Sequence, residues 1–324
     1  MNYQKLSVAG PEVSKLCLGT GGFGTAVPRE EAFAQMDRFL GKGGNFFDSA
    51  RVYADWVPGG HGASEKTLGA WIKDRKIRDR VVIATKGAHP DLKTMNVPRM
   101  SPGELRSDLD ESLKTLGTGY IDIYLLHRDD VSRPVEEILA TLETFKKEGK
   151  ILHYGCSNWT LARMEEAEKV ASRRGFEGFM CNQIRFSLGD ISLAGLTDKT
   201  VVAMDRDIYT WHRETNKAVM AYTSSCNGWF SKKLLGKPLS PGQEAVYDNG
   251  SNRKLLEKLR LWEKEYGVSA AVLVSSFVMT QDFPSVPISS FSSVSQLEEL
   301  VTAADFSFPP EALERIWGIK EFIV

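Results

Sequence analysis

The chain has 324 residues, with 41 Lys+Arg against 42 Asp+Glu, for a formal net charge of −1. Hydrophobic residues make up 42% and charged residues 26%, the balance of an ordinary globular protein, and near-neutrality offers no broad field to hold nucleic acid or an anionic membrane. No run of roughly 20 apolar residues is present to span a bilayer, and Met1-Asn2-Tyr3-Gln4-Lys5 lacks a signal-peptide pattern, so a cytoplasmic protein is expected.

In chain order, Tyr3 to Val8 and Glu12 to Lys15 flank Ala9-Gly10-Pro11 and predict a hairpin over residues 1–15. Short apolar runs follow at Leu16-Cys17-Leu18, Asn45-Phe46-Phe47, Val81 to Ala84 and Ile121 to Leu126. Four more lie at Leu152 to Gly155, Phe179-Met180-Cys181, Ala218 to Tyr222 and Val286-Pro287-Ile288. Continuous apolar runs of this length suit strands buried on both faces, as in a parallel sheet. Helix signals separate them. Ser101-Pro102-Gly103-Glu104 combines an N-cap serine, an early proline and a capping-box glutamate, and Leu105, Leu109, Leu113 and Leu116 then share one face up to Gly117. Pro134 opens a second amphipathic segment that Gly149 closes, and Leu255 to Tyr266 repeats the pattern before Gly267.

No Ser-, Gly- or Pro-rich linker divides the chain, so eight strands alternating with helices predict one α/β unit over residues 1–324. The expected architecture is a (β/α)₈ TIM barrel preceded by the hairpin. An open doubly wound sheet is the competitor. Gly19, Gly21 and Gly24 fit its G-x-G-x-x-G signature formally, but Pro28 follows and the helical pattern starts only near Arg29. The four cysteines, Cys17, Cys156, Cys181 and Cys226, form no C-x-x-C pair and read as buried small hydrophobes.

Barrel enzymes place their chemistry at the carboxyl ends of the strands. The second run ends at Asp48, with Tyr53 five residues on; the third ends at Lys86, the fourth at His127, and the fifth at Ser157-Asn158. The sixth leads to Asn182-Gln183 and the seventh to Tyr222. Each has a packing explanation taken singly; their convergence on one rim carries the inference. A tyrosine beside a lysine ammonium, itself held by an aspartate, makes a proton donor whose pKa is expected to fall below its ordinary ~10. A histidine can orient or polarise a carbonyl. Such a set protonates an oxygen that becomes an alcohol, and the hydride must then come from a cofactor. Ser157, Asn158 and Gln183 suit a carboxamide, and Tyr222 offers a flat ring, which together fit a nicotinamide. The histidines at 61, 89, 127, 153 and 212 give no metal-ligand spacing, so no metal is expected.

These motifs, with Asn45-Phe46-Phe47-Asp48-Ser49-Ala50, Ser64-Glu65 before Leu68-Gly69, Ala84-Thr85-Lys86, Tyr124-Leu125-Leu126-His127 and Gly155-Cys156-Ser157-Asn158, resemble the aldo-keto reductase family over nearly the whole chain. The resemblance implies a (β/α)₈ barrel, an NADP or NAD cofactor extended along the rim, with NADP the one the family favours, and a small carbonyl substrate such as an aldehyde, ketone or sugar. It implies Tyr53 as general acid, Lys86 and Asp48 tuning it, His127 orienting the carbonyl, and Ser157, Asn158 and Gln183 holding the carboxamide against Tyr222. It also places the far end of the cofactor near Ser290, Ser292 and Gln296.

Two departures stand out. Relatives often carry Lys or Arg after the eighth strand, where a 2′-phosphate is gripped; Ser289-Ser290-Phe291-Ser292-Ser293-Val294-Ser295 has none, so the preference for NADPH is expected to be weak or reversed. The loop Ala54 to Gly62 is longer than usual and carries Trp56, a candidate substrate wall together with Trp159 and Trp229. A cofactor-binding regulatory subunit with slow turnover, as in relatives that serve potassium channels, is the alternative reading. A metal-dependent barrel hydrolase is a further rival and lacks the clustered ligands it needs.

Overall fold

A computed structural model describes residues 1–323; residue 324 lies outside the described residues. The hairpin pairs β1 (Tyr3–Lys5) with β2 (Glu12–Ser14) antiparallel. Then come β3 (Cys17–Gly19), β4 (Phe46–Asp48), β5 (Val82–Gly87), β6 (Ile121–Leu126), β7 (Ile151–Ser157), β8 (Cys181–Arg185), β9 (Ala218–Tyr222) and β10 (Ser285–Ser289). These run parallel in sequence order, and β10 closes on β3 to complete the barrel. The architecture expected from the sequence is the one observed.

Side-chain alternation sorts two cores. In β6, Ile123 and Leu125 point into the barrel, while Tyr124 and Leu126 face the surrounding helices. The interior cluster runs from Cys17 and Phe46 through Ala84, Met180 and Met220. It is completed by Leu6 and Val13 of the hairpin, both fully buried. The hairpin therefore closes one end of the barrel with apolar side chains. All four cysteines are buried and free.

The helix predicted after Ser101 spans Pro102–Leu116, with both hydrogen bonds of the capping box formed and Gly117 ending it in the left-handed region. The other two predicted helices span Val135–Lys147 and Gly250–Tyr266, with the anticipated apolar faces inward. The sequence reading did not anticipate the segment after β9. It folds as short helices Trp229–Leu234 and Pro241–Tyr247, and the Ser192 amide donates to the Val246 carbonyl at 2.9 Å. Among the described residues, no helix is long and apolar enough to cross a membrane.

The chain end is tied to the rim by a buried ion pair. Lys320 Nζ donates to Asp190 at 2.8 Å, and the amides of Glu321 and Phe322 donate to the same carboxylate at 2.7 Å each. Burial pushes the Asp190 pKa up, but Lys320 and the amide donors outweigh it and leave the value below the ordinary range. Its contribution is therefore present above the unfolded aspartate pKa near ~3.9 and is lost as pH falls through the lower folded value. Asp190→Ala strands a buried ammonium and is expected to cost about 3–5 kcal/mol in urea denaturation. A loss below about 1 kcal/mol would show that the pair stabilises little.

Candidate active site

Strand β4 ends at Asp48, and the chain beyond continues to pair with β5: the Ser49 amide donates to the Ala84 carbonyl and the Arg51 amide to that of Lys86. This fixes the turn that presents Tyr53. Lys86, on β5, is fully buried, as is Asp48 apart from 2% of its surface. Lys86 Nζ donates to Asp48 Oδ2 at 2.8 Å, to the Ser49 carbonyl at 2.6 Å and to the Tyr53 hydroxyl oxygen at 2.9 Å. An ammonium has three donors and no acceptor, so the Tyr53 oxygen accepts and its own proton is left for another partner. The other Asp48 oxygen accepts from Gln183 Nε2 at 2.7 Å, so both carboxylate oxygens are engaged.

The electrostatics differ in one respect from the sequence expectation. Burial pushes the Tyr53 pKa up, and the neighbouring ammonium only partly opposes this, so the value lies above that of free tyrosine. Lys86 is pulled down by burial, but Asp48 and Tyr53 reverse the effect and hold it charged. His127 is driven well below its ordinary range by burial and by the Lys86 and Arg128 cations, and is neutral at physiological pH. Its ring stands edge-on to Tyr53 at 5.9 Å and to His89 at 4.7 Å between centroids. His89 was named in the sequence only as a non-ligand; nothing in its spacing signals this stacking.

Alternation divides the remaining residues. Gln183 faces Asp48, whereas its neighbour Asn182 points outward to His212 at 3.4 Å and does not join the site. Asn158, at φ +59°, accepts the Tyr222 hydroxyl proton at 2.7 Å and donates to Ser157 Oγ at 2.9 Å. A cleft of about 550 Å³ runs from Asp48 and Tyr53 past Tyr222, Thr223 and Asn227 to Ser290 and Gln296. Glycine keeps its wall thin: a Cβ on Gly19 would meet Ser290 Oγ at 2.6 Å, and one on Gly21 would stand 3.6 Å from the Tyr53 ring. Ser290 Oγ donates to the Gly19 carbonyl at 2.9 Å, and Ser292 donates to Gln296.

Of the three candidate wall tryptophans, only Trp56 stands exposed beside Tyr53. It is 59% exposed, and its ring lies 6.3 Å from that of Tyr53. Trp159 is fully buried, edge-on to Phe179 and donating to the Arg128 carbonyl at 3.2 Å. Trp229 is fully buried against Phe230. Both follow strand ends, but their rings turn into the packing behind the rim, so neither walls the cleft. The Trp56 loop is pinned by His61, whose ring nitrogens lie 2.9 Å from Asp55 and 2.7 Å from Glu111. Among the described residues, no three His, Cys, Asp or Glu side chains cluster to hold a metal ion.

The sequence matches the family profile described as "Aldo/keto reductase family" over residues 15–321. It is 30% identical to the uncharacterized oxidoreductase YrpG of Bacillus subtilis (strain 168), across 98% of this chain and 95% of that protein. It is 28% identical to the norsolorinic acid reductase stcV of Emericella nidulans, across 95% of this chain and 79% of that one. It is 27% identical to an aryl-alcohol dehydrogenase [NADP(+)] of Phanerodontia chrysosporium, across 90% and 76%. A match this long, on a closed eight-stranded barrel, places the chain in the aldo/keto reductase family of oxidoreductases.

Proposed function

We propose that this oxidoreductase reduces an aldehyde or ketone to the alcohol with NADPH or NADH, Tyr53 acting as general acid. The observation that carries the reading is the saturation of Lys86. With all three ammonium protons directed at Asp48, Ser49 and Tyr53, the phenol proton is free to be delivered into the cleft. The raised pKa keeps Tyr53 protonated before reaction, and the charged Lys86 stabilises the phenolate left after transfer. Neutral His127, beside Tyr53, orients the carbonyl oxygen without competing as an acid.

The cleft suits a nicotinamide cofactor, since it leads from Tyr53 along a glycine-thinned wall to Gln296, and about 550 Å³ falls in the ordinary range for such sites. When bound, that cofactor supplies the hydride that no side chain can. Gln183, oriented by Asp48, would hold the carboxamide with Ser157 and Asn158, against the Tyr222 ring. The name of the aryl-alcohol dehydrogenase relative, together with Trp56 beside Tyr53, makes aryl aldehydes the first substrates to examine. Tyr53→Phe is expected to lower kcat by about 10²–10⁴-fold while cofactor binding, followed by nicotinamide fluorescence, persists. Retention of near-normal turnover would remove Tyr53 from its role and favour a regulatory, cofactor-binding subunit.

Cofactor choice turns on the helix Val294–Val301. The Val294 amide at its start donates to the Glu31 carboxylate at 3.0 Å, and no Lys or Arg lies in the preceding loop. A 2′-phosphate brought to this end would meet a carboxylate in place of a cation, which supports a weak or reversed preference for NADPH. Steady-state kcat/KM with NADH at or above that with NADPH is the expected result; a strong NADPH preference would sink the idea. Glu31→Gln is expected to tighten NADPH relative to NADH by about two- to fivefold, read as Kd values.

The Trp56 wall depends on pH through His61. Burial tends to lower the His61 pKa, but the hydrogen-bonded Glu111 and Asp55 carboxylates outweigh it and raise the value. The clamp is therefore complete below the free-histidine pKa near ~6.5 and is lost as pH rises through the higher folded value. An NMR titration of the His61 ring should show a midpoint above ~6.5 that falls in Glu111→Gln. An unchanged midpoint in that variant would show that Glu111 does not hold the ring.

A further inference from the structure

Arg51, Arg78, Arg128 and Arg163 lean into the protein, and each has a carboxylate within 3.2 Å: Asp108, Asp122, Asp198 and Asp129 in turn. Arg185 does not. It is the last residue of β8, half-buried, on the same rim as Lys86 and Tyr53, and its guanidinium lies 5.7 Å from the centre of the Tyr222 ring. Among the described residues its guanidinium has one hydrogen-bonded contact, a long one, Nη1 to the Tyr247 hydroxyl at 3.4 Å, and its buried Nε has no partner. A guanidinium carries five donors in a planar fork shaped for two oxygens of one anion. Leaving it half-desolvated with a single weak partner is costly unless a ligand completes it.

A second cation faces the same space. Lys232, from the short helix after β9, meets only the neutral Gln243 Oε1, at 3.0 Å. Among the described residues neither Arg185 nor Lys232 lies in an ion pair, and the nearby Asp198 is taken by Arg128 at 2.8 Å. The two cations line a cleft of about 420 Å³ together with Thr197, Asn227, Ser240 and Gln243, and no carboxylate lines it. Asn227 also lines the cleft that begins at Tyr53, so the two spaces adjoin. The segment after β9 and the stretch 190–197 form its walls, and the Ser192–Val246 hydrogen bond joins them.

We propose that Arg185 and Lys232 form a binding site for an oxyanion, a phosphate or carboxylate, carried by a ligand that extends from the Tyr53 cleft. Two ligands bring that chemistry to this rim: the diphosphate of the cofactor, or an acidic group on the carbonyl substrate. The substrate case rests on the carbonyl-reductase reading; the site itself does not.

The primary test is calorimetric titration of inorganic pyrophosphate into wild type, Arg185→Gln, Arg185→Lys and Lys232→Gln, each first checked for an unchanged melting transition. Pyrophosphate should bind wild type, weaken by about fivefold or more in the two glutamine variants, and recover in part in Arg185→Lys. No binding to wild type, or equal affinity in all four proteins, overturns the site. Titration of NADH and the kcat/KM ratio for 4-carboxybenzaldehyde over benzaldehyde then separate the sources. A parallel loss of NADH affinity assigns the site to the cofactor. An unchanged NADH Kd with a roughly tenfold fall in that ratio assigns it to an acidic substrate. If wild type reduces neither aldehyde, the carbonyl reading is in trouble, while the pyrophosphate titration still decides the anion site.

Discussion

The site depends on keeping a charged lysine in the interior of the barrel. Lys86 is fully enclosed, and a lone ammonium there would be deprotonated or would pull the strand out of register. It remains charged because Asp48 lies 2.8 Å away on the adjacent strand and the Ser49 carbonyl 2.6 Å away just past it. Strand register is what makes this possible. Asp48 pairs with Ala84, two residues before Lys86 on the same face of β5, so the two side chains reach the same end of the barrel. The rest follows from this pair. Its third ammonium proton sets the direction of Tyr53, and its carboxylate sets the direction of Gln183. A shift of one residue between β4 and β5 would turn Lys86 to the helix side and dismantle both.

The closed barrel was legible in the sequence because parallel strands buried on both faces leave unbroken apolar runs, and because Ser101, Pro102, Glu104 and Gly117 mark a helix at both ends. The same logic reached Asp48, Lys86 and His127, which simply end such runs. What position along a strand cannot give is the direction of a side chain once the strand is over. Trp159 and Trp229 both follow strand ends, yet their rings pack behind the rim. Asn182 and Gln183 are adjacent, and the alternation of β8 sends only the second inward. The helices Trp229–Leu234 and Pro241–Tyr247 escaped notice because each is too short to show a hydrophobic period.

The direction of the Tyr53 pKa was misread for a related reason. From sequence, Lys86 could be placed beside the phenol but the burial of the pair could not be weighed. Burial raises the phenol and the ammonium lowers it; in the folded chain burial wins. The result suits the reduction proposed for this site. A phenol that keeps its proton until hydride transfer creates a basic oxygen is a better donor than one already partly ionised. In the proposed reaction, charge on Lys86 would then act mainly on the phenolate that follows, which is where stabilisation speeds the step.

Charge around the rim is distributed by the same rule that governs its centre. Deep cations such as Lys86, Arg51 and Arg128 are each matched by a carboxylate of the chain, so they are structural or catalytic fixtures that no ligand needs to complete. Among the described residues, Arg185 and Lys232 are matched only by neutral groups, and the carboxylate of Glu31 stands at a helix start where positive potential would otherwise be free. A net charge of −1 conceals this asymmetry. The space that adjoins the ligand cleft at Asn227 carries two unmatched cations, and the far end of the cleft carries neutral hydroxyls with an acidic neighbour. With the proposed anion site, a ligand with its anionic charge at the Arg185 side would be favoured, and added anionic charge at the Ser292 end would gain nothing. On that proposal, selectivity for charge would follow from where carboxylates of the chain are absent as much as from where its cations stand.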